Sequence, residues 1–259
     1  MALFTDSGVV TLDDLLQFEA PLVQVASSHG INVETKVNLS TGAIGDKLLL
    51  WLLDVGASDP QFLNRRVLGL STVVVTSSLH RWLCFDSLSR FFAEAYNVQL
   101  NTRFQAKWTE YQNEATQASQ MFFMSGVGIV YNALPRPALP LISVQNGNSP
   151  AQAIFVQTAW VDSAGNESAL SPVNGQILAE NSTIVVSMAE GAVNAPATAI
   201  GWNAYVSSSE DDLTRQNLAP LAIGATWPLP STGITDGPDP IDGQRPQFYV
   251  RLSRQIRRG

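Results

Sequence analysis

Two histidines, one cysteine and two acidic clusters are the side chains here whose types suit chemistry. His29 and His80 have no second His or Cys at metal-ligand spacing. His29 sits at a helix end, where a cation suits the helix dipole, and His80 falls on the polar face of its helix. Gly69-Leu70-Ser71-Thr72-Val73 lacks the second glycine of a nucleophile elbow. Gly126 and Gly128 follow a helix and precede none, so they begin no dinucleotide-binding fingerprint. Glu210-Asp211-Asp212 lacks the alternating oxygens and glycine of a calcium loop and reads as a solvated turn. Asp236, Asp239 and Asp242, among Gly237, Pro238, Pro240 and Gly243, read as an extended acidic linker. The expectation is a protein that is not an enzyme, with no catalytic, cofactor-binding or metal-binding residues.

The sharp feature is the C-terminal segment. Phe248, Tyr249, Val250, Leu252 and Ile256 interleave with Arg251, Arg254, Arg257 and Arg258. Aromatic anchors beside arginines are favoured in protein interfaces, so Phe248, Tyr249, Arg251, Arg254, Arg257 and Arg258 are the expected partner-contact residues, on an arm that docks. Charge is laid out in blocks. Residues 138–244 hold one basic residue, Arg215, against ten acidic ones, whereas 245–259 hold five arginines and no acid. Such asymmetry marks an interaction tail. The arginines suit phosphate, but the acidic stretch before them repels it, which disfavours nucleic acid as the partner.

The elements that must position this tail fall into two kinds. Thr11-Leu12-Asp13-Asp14 has the form of a capping box and predicts a helix over 12–28, kinked at Pro21 and stopped at Gly30. Asn32 is placed to cap a second helix reaching about Asp54. Leu79, Trp82, Leu83, Leu88, Phe91, Phe92 and Ala95 recur at helical spacing and predict a helix over 78–95. Phe104, Trp108, Tyr111, Ala115, Ala118 and Phe122 do the same over 102–124, opposite Arg103, Lys107, Glu110, Glu114 and Gln117. Gly126 to Asn132 reads as an extended or hairpin element, followed by a stiff connector at Pro135, Pro137 and Pro140. Beyond it come short β-prone runs at 153–162, 183–188, 199–207 and 221–227, separated by turn residues such as Ser163-Ala164-Gly165-Asn166. That spacing indicates a sandwich.

The expected fold is therefore α+β and multidomain: an N-terminal α-helical bundle of about four helices with a β-hairpin over 1–137, an immunoglobulin-like β-sandwich over 138–232, and a linker with an extended basic C-terminal arm over 233–259. Charged residues are 14% of the chain and hydrophobic ones 45%, against a usual charged share of roughly 25%. This balance suggests a subunit that covers its surface by assembling. Cys84 is the lone cysteine, so no intrachain disulfide forms. The start, Met1-Ala2-Leu3-Phe4-Thr5-Asp6, has no signal-peptide pattern, and the apolar run 48–53 is far short of a bilayer span. A chain made and retained in a cytoplasm is expected.

Two stretches resemble known proteins. Val74-Val75-Thr76 through Leu79, Trp82, Tyr96-Asn97, Gln105-Ala106-Lys107-Trp108 and Tyr111, closing with Gly126-Val127-Gly128, resembles the helical domain of tailed-bacteriophage head–tail connector (adaptor) proteins. Trp160-Val161-Asp162-Ser163-Ala164-Gly165-Asn166-Glu167-Ser168 with Gly201-Trp202-Asn203-Ala204-Tyr205-Val206 is similar to immunoglobulin-like or fibronectin type III-like modules of phage virion proteins. Simple adaptors stop after the helical domain and a short tail, whereas here a sandwich intervenes. The resemblance implies a structural virion protein in a homo-oligomeric, dodecameric ring at the neck. It would join the portal protein and capsid vertex to the tail, its terminator or nozzle proteins, with packaged DNA only passing through and no membrane. Its C-terminal segment would embrace the portal. The alternatives are another virion subunit (tail terminator, decoration or fibre attachment) or a binding module accessory to a secreted enzyme.

Overall fold

The structure is a computed structural model describing residues 1–58, 69–191 and 193–251. Helices and antiparallel sheets are both present, an α+β mixture. The chain forms two compact units. One combines Met1–Asp6 with Tyr131–Arg245, and the other combines Ser7–Val130 with the segment that begins at Pro246. The expected boundary at 137/138 thus differs from the structural one at 130/131, and each unit takes a piece from the far end of the chain.

The helical unit holds five α-helices among its described residues: α1 (Leu12–Phe18), α2 (Leu22–His29), α3 (Val33–Ser58), α4 (Ser77–Gln99) and α5 (Thr102–Ser125). The single kinked helix expected over 12–28 is two helices. The break falls at Glu19, whose backbone leaves the helical region, and Pro21 stands at the N-cap of α2, since its ring cannot continue the ladder. Thr11 and Asp14 form the capping box, and Gly30 ends α2 in the left-handed region at φ 66°. Asn32 Oδ1 accepts the Thr35 amide at 3.0 Å and starts α3. Helices α4 and α5 carry the core. Phe92 stacks on Tyr111 with centroids 5.6 Å apart, and Trp82 meets Phe122 at 5.9 Å. From α3, Ile44, Leu48 and Leu52 are buried.

No local hairpin follows α5. Strand β1 (Val127–Ile129) instead pairs antiparallel with a strand more than a hundred residues away, Phe248–Val250, in the register Val127↔Val250, Gly128↔Tyr249, Ile129↔Phe248. On its other side β1 is bound by Val74 N–H donating to Gly128 O at 2.9 Å and Val130 N–H donating to Thr72 O at 3.0 Å. The expected extended arm is corrected here for Phe248, Tyr249 and Val250, which are a strand of the helical unit.

The sheet unit contains β2 (Leu141–Ser149), β3 (Gln152–Asp162), β4 (Asn174–Leu178), β5 (Ser182–Ser187), β6 (Ala199–Ser207), β7 (Thr214–Arg215), β8 (Leu221–Ala222) and β9 (Trp227–Pro228); the distant strand Phe248–Val250 becomes β10. One sheet runs β2-β5-β9. The other runs β4-β3-β6-β7, with β8 also on β6. Alternate residues point to one face of a strand. Ile154, Val156 and Trp160 of β3, Trp202, Ala204 and Val206 of β6, and Ile184 and Val186 of β5 accordingly share one core with Trp227 and Leu229.

The acidic linker expected between 233 and the arm at 245 is pinned to this unit. Gln216 Nε2 donates to Thr235 O at 2.7 Å, and its Oε1 accepts the Thr235 amide at 2.9 Å. The Arg215 amide donates to Pro238 O at 2.9 Å. Buried Gln244 receives the Leu134 amide at 2.8 Å and donates to Asn132 O at 2.7 Å. A stretch rich in Pro and Gly makes no ladder of its own, so glutamine amides supply its bonds.

Candidate functional site

Three constellations concentrate polar chemistry, none of them expected from the sequence, and the expectation that His80 has no cysteine at ligand spacing is corrected by the first. His80 and Cys84 lie four residues apart on α4, hence on one face. Cys84 Sγ is 3.9 Å from His80 Nδ1, and His80 Nε2 is 3.4 Å from Asp14 Oδ2. A Cys–His–Asp line has the order of a nucleophile, base and orienting acid. Its chemistry is blocked at the thiol. Cys84 is fully buried, and burial, with the Asp14 charge adding to it, pushes its pKa up to about 12. A thiol held there is protonated at neutral pH, and the thiolate is the nucleophile. Burial alone would raise the Asp14 carboxyl, but the Thr11 amide and hydroxyl together with His80 outweigh it and hold it below the usual range. Those bonds commit Asp14 to capping α1. The line is a structural tie between α1 and α4.

A second network lies within the helical unit. Tyr111 OH donates to Glu19 Oε2 at 2.7 Å, Lys107 Nζ lies 3.0 Å from the same oxygen, and Glu110 lies 3.5 Å from Lys107. The Glu19 hydrogen bond, foremost, raises the Lys107 pKa. Helix α1 is thereby fixed to α5 at its C-terminal end.

A third buried polar cluster sits on the face of β3 and β6 opposite the core. Glu167 is buried, with Oε1 accepting from Asn203 Nδ2 at 2.7 Å and Oε2 accepting from Tyr205 OH; Arg215 Nη1 stands 3.8 Å from Oε1. Asn217 extends the chain, donating to Asn203 Oδ1 at 2.7 Å and accepting the Ala204 amide at 2.9 Å. The segment before β4 continues the pairing along β3 through side chains: Ser168 Oγ accepts the Trp160 amide at 3.0 Å, and Ser171 Oγ accepts the Thr158 amide at 2.9 Å. Asp162 closes the turn, receiving the Ala164 and Asn166 amides at 2.9 and 2.8 Å. Both Glu167 oxygens and the Asn203 and Asn217 amides are spent on neighbours, whereas Arg215 Nε and Thr158 Oγ1 are buried without a hydrogen-bond partner among the described residues; the arrangement holds a loop on a sheet. The signal for it was in the sequence as polar Asn203 and Tyr205 inside an otherwise apolar strand.

Both buried tyrosines carry a pH dependence. Burial, then the bond to the adjacent glutamate, raises the phenol of Tyr111 and of Tyr205. An unfolded tyrosine ionises near about 10. A raised folded value means the stability is complete below that pH and declines as pH climbs above it toward the folded value. Urea midpoints should therefore fall above pH about 10, with Tyr205→Phe flattening that limb for the sheet unit and Tyr111→Phe for the helical unit. At neutral pH each change should cost about 1–3 kcal/mol by leaving a buried carboxylate one donor short.

Of the expected partner-contact residues, Phe248 and Tyr249 are in β10, and Arg251 Nε donates to Ser125 O at 2.9 Å. Val250, between them, is buried, while Tyr249 remains 53% exposed. Arg254, Arg257 and Arg258 lie outside the described residues. Among the described residues no cluster of three or more His, Cys, Asp or Glu side chains is arranged to hold a metal ion, and no helix is long and apolar enough to cross a membrane. Compared with protein-family models, with curated proteins and with solved structures, the chain matches none.

Proposed function

We propose that this chain is a structural subunit of a tailed-bacteriophage virion that assembles with copies of itself into a ring between portal and tail. The observation that carries the reading is helix α3. Its inner face buries Ile44, Leu48 and Leu52, while Leu39, Leu50 and Leu53 on the opposite face are 51%, 68% and 62% exposed. A helix apolar on both sides belongs inside something, and one copy supplies only one side. The low share of charged residues points the same way.

The sheet unit is read as immunoglobulin-like. Strands β4-β3-β6-β7 take the positions C′-C-F-G of a variable-type domain, and β2 beside β5 takes those of B and E. Trp160, buried on β3, stands where that fold keeps its strand-C tryptophan. Strand β9 adds to the open side of β5, where strand D would lie.

In this reading α3 faces the neighbouring subunit and the arginine-rich end beyond Arg251 reaches the portal. Electron microscopy of the purified protein tests it: closed rings, twelve-fold by the resemblance, are expected, and a monodisperse 28.0 kDa monomer at micromolar concentration would overturn it. Deleting 252–259 should leave ring formation intact while weakening attachment to portal-bearing capsids in a pull-down. Undiminished capture would remove the portal assignment and leave the ring.

A further inference from the structure

Strand β10 differs from the other described strands in where its chain comes from. The rest of the helical unit runs unbroken from Ser7 to Val130, whereas the piece starting at Pro246 arrives from the far end of the sheet unit. The receiving edge is shaped for it. A Cβ on Gly128 would stand 2.7 Å from Cγ of Pro246, so the proline ring fills the space that a side chain would need. Gly126, at φ 102°, likewise leaves room for Tyr249 and Arg251, whose Cβ and Cγ would lie 3.2 and 3.0 Å from an added Cβ. The Gln247 amide donating to Ile129 O at 2.9 Å and Arg251 Nε donating to Ser125 O at 2.9 Å close the two ends of the seat.

We infer that β10 is an exchanged strand: in the assembled protein, segment 246–251 of one copy pairs with β1 of its neighbour. The inference rests on the multimeric reading above and names the contact that would link adjacent copies. Every bond that seats the strand is available unchanged in a second copy, so exchange loses no contact. No short turn dictates which copy supplies the strand, as a two-residue hairpin would, because the whole sheet unit separates β1 from β10 in the sequence. The crossover is Arg245-Pro246, and a residue ahead of proline is steered toward extended backbone, which favours a reach over a tight return. Around a closed ring each exchanged strand also tethers the next, raising the effective concentration of every other contact.

Cysteine pairing reads the exchange directly. In a Cys84→Ser background, one tagged chain carries Val127→Cys and an untagged chain carries Val250→Cys, the register partners of the two strands. Coexpressed and oxidised, they should yield a tagged–untagged species of twice the 28.0 kDa chain mass that reduction returns to single chains. With both substitutions in one chain, a multimer that closes only within chains overturns the exchange and leaves the ring standing. A monomer that closes on itself overturns both. Because a buried cysteine pair can disturb its seat, a second variant places p-benzoylphenylalanine at exposed position 249. Its photoproduct should have twice the chain mass, and a link mapped to residues 126–129 of the same chain would overturn the exchange.

Discussion

Trp202→Ala is expected to destabilise the sheet unit by about 3–5 kcal/mol, the range for removing a buried large side chain. Trp202 on β6 lies directly across from Trp160 on β3, both are fully buried, and they share a core with Trp227, Ile184 and Val186. The size of the effect comes from packing alone, because Trp202 Nε1 is buried without a hydrogen-bond partner among the described residues. Alanine therefore removes contacts and opens a cavity without stranding an acceptor. Trp202→Phe makes the contrast. It keeps most of the ring volume and removes a buried unpaired donor, a relief of about 1–3 kcal/mol that should offset much of the lost packing. Hydrogen exchange followed by mass spectrometry separates the units: protection in β3 and β6 should collapse in Trp202→Ala while α4 and α5 keep theirs. Equal losses in both variants would show that the indole N–H has a partner.

Leu50→Glu together with Leu53→Glu should convert a multimer into a folded monomer. Each leucine returned to water forfeits about 1.5–3 kcal/mol of apolar burial. Two together weaken each subunit contact by about 10²–10⁴-fold, before counting the carboxylates that the partner surface would have to desolvate. Within one chain both positions are mostly in water, so the helical unit should melt as before. Sedimentation velocity measures the mass and circular dichroism the fold. A variant that keeps the parent's mass would move the subunit contact away from α3.

Where periodicity was local and strong, the sequence was readable. The β-prone run 199–207 marks β6 with its observed ends, and the three- and four-residue steps of Phe104, Trp108, Tyr111, Ala115, Ala118 and Phe122 trace the inner face of α5, all of them buried except the half-buried Trp108. Helix α4 extends past its predicted end because Tyr96 to Gln99 continue the ladder until Leu100 turns left-handed at φ 53°. Strands β2 and β4 escaped notice. Leu141–Ser149 is mostly exposed and Asn174–Leu178 begins with Asn-Gly, so neither shows a two-residue alternation of apolar side chains. The pairing of β1 with β10 was beyond any local signal. Gly126 and Gly128 look like turn residues in a window of ten, and their purpose is visible only when Pro246 and Tyr249 come to rest on them. The cluster around Glu167 was only partly legible: Asn203 and Tyr205 mark a polar face on one strand, but Glu167, and Arg215 with Asn217, come from two other segments that only the sheet brings together.

The two-ended construction of both units has a consequence for how the chain is made. A ribosome releases β1 some 120 residues before its partner strand β10 exists, which at about 5–20 residues per second is roughly 6–24 s. Throughout that interval one edge of Val127–Ile129 offers unpaired backbone groups. The sheet unit likewise cannot receive Gln244, which bonds Asn132 and Leu134, until more than a hundred further residues have been made. Neither unit is complete until residues 244–250 have emerged, and both are then completed by one short stretch of chain. A stalled or prematurely terminated chain would thus keep an adhesive strand edge on an otherwise folded helical body.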